Sequence, residues 1–121
     1  MSEKQVDDIL ERIAAAGRKV LPMHEYLARA DREGLDAYDR FLSASIYRRG
    51  ALAEKYKEML MACCCVMGGS SQPVIANHCR RAMAAGLERD ELLQALEITA
   101  AVCATRAMAS GILSLMEAEQ Q

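Results

Sequence analysis

Residues 54–91 read EKYKEMLMACCCVMGGSSQPVIANHCRRAMAAGLERDE, and glycines divide the stretch into helices. Ala, Leu, Met, Glu and Lys dominate before Gly68-Gly69, and all are strong helix formers. Ser70 or Ser71 can cap a next helix, with Pro73 tolerated in its first turn. That helix extends to about Ala85, where Gly86 supplies the left-handed stop. Glu88, Asp90 and Glu91 then place negative charge at the start of a third helix, where the macrodipole favours it. Connections this short imply antiparallel neighbours.

The same grammar extends outward. The final helix covers about 89–117 and carries Ala100, Ala101, Ala104, Ala107, Ala109, Ser110 and Gly111. Small residues on all sides predict close contacts on more than one face, one of them with another subunit. Upstream, Ser2-Glu3-Lys4-Gln5 reads as a capping box. Val6, Ile9, Leu10 and Ile13 follow at helical spacing, and Gly17 ends the segment. Pro22 opens a second helix, about 22–32, which Gly34 breaks. A third, about 35–48, aligns Leu35, Tyr38, Leu42 and Ile46, and Gly50 stops it. The reading is all-α: one domain of about six helices over 1–121, the last three forming an antiparallel core.

Composition agrees and excludes several functions. The chain has 121 residues, eight Met, one Phe and no Trp, so aromatic strand formers are scarce. Net charge is −2, and residues 1–50 hold nine basic and nine acidic side chains. No basic patch points to nucleic acid, and Arg48-Arg49 and Arg80-Arg81 read as solvated. The N-terminus lacks the apolar segment of a signal peptide, and the longest unbroken apolar run, residues 59–67, is too short to span a bilayer. The expected setting is cytoplasmic, away from membranes, with the five Cys reduced.

Chemistry concentrates at two residues. Glu58 enters an almost wholly apolar segment, where desolvation penalises a carboxylate that finds no donor. It either lies at the surface beside Lys55 or Lys57, or turns inward. His78 lies midway along the next helix, on a stripe with Val74, Ala82 and Ala85. It is either a satisfied core residue or faces Glu58 across the helix pair, where a Glu–His pair in an apolar pocket can do acid/base work. Cys65 shares a face with Glu58, two turns on, whereas Cys63 and Cys64 point elsewhere. Three consecutive Cys cannot converge on one metal ion from a helix and read as small apolar core. Cys103 reads as core, Cys79 as off the His78 face, and His24 as surface. No zinc-type pair, P-loop or dinucleotide motif occurs, so no metal and no cofactor is expected.

The segment from Leu52 to about Ile112 resembles the carboxymuconolactone decarboxylase / alkyl hydroperoxidase D family. The resemblance rests on Lys57-Glu58-Met59-Leu60, then His78, Arg80, Ala82 and Gly86, then Glu91 and the Ala-rich helix. Helices two and three would match the family's upstream helices. The peroxidase branch carries CxxC before its His; here those positions are Ser71 and Val74, so the usual dithiol cycle cannot run. The decarboxylase branch also lacks CxxC and keeps a His. The resemblance implies a small-molecule enzyme, lyase-like or peroxidase-like, that uses His78 with Glu58 for proton transfer, with Ser71 and Arg80 against the substrate. It also implies a homotrimer or hexamer. Two alternatives stand beside it: a thiol oxidoreductase built on Cys65, with Cys79 or Cys103 as partner, and a non-catalytic oligomer that binds a small ligand.

Overall fold

The computed structural model describes residues 2–48 and 50–121, and every regular element in them is helical. The chain forms two compact units, Met1–Arg49 and Gly50–Gln121.

The first unit holds α1 (Glu3–Ala15), α2 (Pro22–Ala30), α3 (Arg32–Leu42) and a π-helical turn, Ser43–Tyr47. The capping box forms as its residues require. Ser2 Oγ accepts from Gln5 N–H at 3.3 Å, and Gln5 Oε1 accepts from Ser2 N–H at 3.0 Å. Val6, Ile9 and Ile13 recur at helical spacing and bury against Ala28 and Leu35, forming the core of this unit.

The break between α2 and α3 falls at Asp31, not Gly34. Asp31 N–H donates to the Leu27 carbonyl, closing α2, and its Oδ1 accepts from Gly34 N–H at 2.9 Å, opening α3. Gly34 sits inside the first turn of α3. A β-carbon there would stand 2.8 Å from Asp31 Cγ, so the glycine makes room for the cap. The far end of the expected third helix is also different. Beyond Leu42 the backbone widens, and Arg48 N–H reaches the Ser43 carbonyl at 2.9 Å. Ser45 Oγ donates to the Phe41 carbonyl at 2.7 Å, competing for the acceptor that a regular turn uses.

Charge in this unit is not all solvated. Asp39 is buried and ion-paired with the half-buried Arg18, and Arg12 Nε stands 3.6 Å from it. The Arg18 guanidinium also lies over the Tyr47 ring, 5.0 Å from its centroid. His24 is likewise buried rather than on the surface. Its Nδ1 accepts from Leu21 N–H at 2.8 Å, satisfying a donor that α2 leaves over at its N-terminus.

The second unit holds α4 (Glu54–Met67), α5 (Gln72–Ala84) and α6 (Arg89–Glu119), with α4 packed chiefly on α5. Gly69, at φ 74°, turns the α4–α5 connection. Gly86, at φ 105°, ends α5 so that Leu87 N–H reaches back to the Ala82 carbonyl at 3.0 Å. This Schellman closure tucks Leu87 into a small core with Ala82 and Leu92, flanked by Met59, Cys79 and Leu96. α6 opens where the acidic residues predict, with Glu91 Oε1 accepting from Glu88 N–H at 3.0 Å.

α6 is 31 residues long, about 46 Å at 1.5 Å per residue. With 14 and 13 residues, α4 and α5 reach only about 20 Å. Beyond its first half α6 is exposed, including Met108, Ile112, Leu113, Leu115 and Met116. Its mean hydropathy over 18 residues reaches 1.5, which by length and composition is enough to cross a membrane. The unbroken-run criterion missed this because Thr, Ser and Arg106 interrupt the run without lowering the average much. Three hydroxyls even turn inward: Thr99, Thr105 and Ser114 donate to the carbonyls one turn back, at 2.8, 2.9 and 2.7 Å.

Candidate functional site

Glu58 lies in the second turn of α4 and His78 midway along α5. One turn from each on its own helix are Ala62 and Ala82, both fully buried. Side chains this small let α4 and α5 pack closely, and the longer Glu and His then fill the space between the helices. His78 Nδ1 lies 2.8 Å from Glu58 Oε2. The Glu58 side chain is 7% exposed and that of His78 18%. The surface reading of Glu58 is therefore incorrect. Lys57 pairs instead with Glu54, at 2.9 Å.

The second carboxylate oxygen faces Arg81, whose Nη1 stands 4.0 Å from Oε1. Arg81 follows His78 by three residues, so both lie on one side of α5. Sequence reasoning passed over it as half of a solvated Arg pair. The i, i+3 spacing to His78 was the available signal. With Glu58 as a carboxylate, His78 donates through Nδ1–H and Nε2 is left as the free ring nitrogen.

The remaining candidates lie apart from this bond. Ser71 is exposed at the start of α5 and its side chain makes no capping bond. Arg80 is exposed, and Cys65 is half-buried two turns along α4 from Glu58. The stripe expected for α5 is narrower than its spacing suggested: Ala82 is buried, but Val74 and Ala85 are exposed. All five cysteines are free. Cys63 Sγ lies 3.8 Å from the Ala95 carbonyl, tying α4 to α6, and Cys79 packs against the Ala82–Leu87–Leu92 core. No group of three His, Cys, Asp or Glu among the described residues is arranged to hold a metal ion.

Two open hollows mark the surface. One lies along α6, at Ala104, Thr105, Met108, Ala109 and Ile112. The other is ringed by Arg12, Asp36, Asp39, Arg40, Ser43 and Ala44. Neither includes Glu58 or His78.

The model of the carboxymuconolactone decarboxylase family matches residues 32–117, more than two thirds of the chain. The chain belongs to this family. The match starts at the first residue of α3 and ends inside the last turn of α6. It therefore takes in α3, as the resemblance implied, and leaves α2 outside. No curated protein and no solved structure matches the chain. In this member of the carboxymuconolactone decarboxylase family, Glu58 and His78 are hydrogen-bonded partners.

Proposed function

We propose that this protein is a small-molecule enzyme in which His78, oriented by Glu58, transfers a proton to or from a substrate through Nε2. The observation that carries this reading is the 2.8 Å bond between a buried carboxylate and a mostly buried imidazole. A carboxylate on Nδ1 fixes ring orientation and tautomer and stabilises the imidazolium that forms when Nε2 takes a proton. A decarboxylation such as the family name describes breaks a carbon–carbon bond, passes its electron pair into a carbonyl system and then needs a proton at carbon. An imidazolium Nε2–H is a suitable source. The polar neighbours of Glu58 are an imidazole and a guanidinium rather than a thiol, which favours proton transfer over thiol redox chemistry.

A substrate hollow beside His78 would be completed by a second copy of the chain. We take the active form to be a homo-oligomer, a trimer or hexamer, with the exposed half of α6 as its interface. Support comes from the apolar side chains along that half and from the hydroxyls turned back onto the helix.

The test is His78→Ala against a panel of carboxylated lactones and, separately, peroxides with a thiol reductant. Loss of an acid/base group lowers kcat by about 10²–10⁴-fold. Unchanged turnover of every substrate the wild type accepts would sink the proposal.

A further inference from the structure

Glu58 presents its two oxygens to two different groups of α5. Oε2 meets His78 Nδ1 at 2.8 Å, and Oε1 faces Arg81 Nη1 at 4.0 Å. The carboxylate is buried, while the Arg81 side chain is 57% exposed. Turned to the ring, the carboxylate accepts from Nδ1–H and leaves Nε2 as the free nitrogen. Turned away, it leaves Nδ1 without that acceptor, and the single proton of the neutral ring can sit on Nε2 instead, with no proton gained or lost overall. A fixed cation beside Oε1 keeps Oε2 turned to the ring.

We infer that Arg81 is a positioning residue, one that holds the Glu58 carboxylate so that His78 keeps its proton on Nδ1 and leaves Nε2 open. The inference rests on the reading above that Nε2 is the working atom, but it concerns the free protein and is tested without substrate. A separation of 4.0 Å is too long for a hydrogen bond, so the contact works through charge rather than through the guanidinium's fork geometry. Lysine should therefore replace Arg81, and glutamine should not.

The experiment is ring-nitrogen NMR of the full chain with labelled histidine, at pH about 8.5, roughly two units above the ordinary imidazole value. His78→Ala assigns the signals. In the wild type the two His78 nitrogens should be well separated, with the protonated-type shift on Nδ1. In Arg81→Gln they should move towards each other as the second tautomer fills, and Arg81→Lys should restore the wild-type pattern. Circular dichroism verifies that each variant is folded, which the exposure of Arg81 favours. Identical His78 shifts in wild type and Arg81→Gln would overturn the inference while leaving the turnover test of His78→Ala untouched. A wild-type ring protonated mainly on Nε2 would also overturn it.

Discussion

Glu58 on α4 and His78 on α5 are joined side chain to side chain at 2.8 Å, with no more than 18% of either side chain exposed. Twenty residues separate them in sequence, and the α4–α5 hairpin brings them together. The bond accounts for two polar side chains that meet between the helices, shielded from solvent. Leaving either partner alone would bury an unsatisfied group.

Energetic coupling is the first expected consequence. Glu58→Gln and His78→Leu should each destabilise the fold by about 1–3 kcal/mol, the range for stranding a buried polar group. The double variant should cost less than the sum, by about 1 kcal/mol or more, because residues in direct contact are not additive. Urea unfolding of the four proteins measures this. Strict additivity would mean that the pair does not form in solution.

A pH dependence follows from Asp36. The Arg40 and Arg12 guanidinium groups bonded to it hold its carboxyl down at about 2, from an ordinary 3.8. The folded value lies below the unfolded one, so the stabilisation is complete above about pH 4 and is lost as pH falls through 2. Thermal midpoints of wild type should therefore fall more steeply between pH 4 and 2 than those of Asp36→Asn, and added salt should narrow the gap. Parallel profiles would remove the ion pairs from the account.

Assembly through α6 is the third expectation. Sedimentation at micromolar concentration should give a homo-oligomer, and Ile112→Glu, on the exposed face beside Met108, should dissociate it. A second copy is the better cover than lipid, because Arg106 lies between Ile98 and Leu115 and a charge at bilayer depth costs a few kcal/mol. A stable wild-type monomer, or partition of the chain into detergent or vesicles, would sink this reading.

Much of the fold is legible residue by residue because it depends on local chemistry. Ser2 and Gln5 cap α1, Gly69 and Gly86 end α4 and α5, and Glu88 with Glu91 opens α6 through contacts within four residues. The errors arise where local signals compete. Gly34 looked like the breaker because glycine is a poor helix former, yet Asp31 both closes α2 and caps α3. The end of the third helix becomes a π turn, where Ser45 also bonds the Phe41 carbonyl of its own helix. His24 reads as a surface residue by type, yet it is buried because its Nδ1 takes up the Leu21 backbone N–H.

Helical content, helix order, the turns at Gly69 and Gly86 and family membership follow from the sequence by itself, since propensity, capping and glycine conformation act over one or two turns. Glu58 and His78 could be picked out there only as two polar residues in apolar company. Whether they met, and that Arg81 stands on the carboxylate's other side, depended on the rotation of α4 and α5 about their axes and on how closely Ala62 and Ala82 let them pack. A turn of 100° per residue separates a shared face from an opposite one, and only tertiary packing sets that angle.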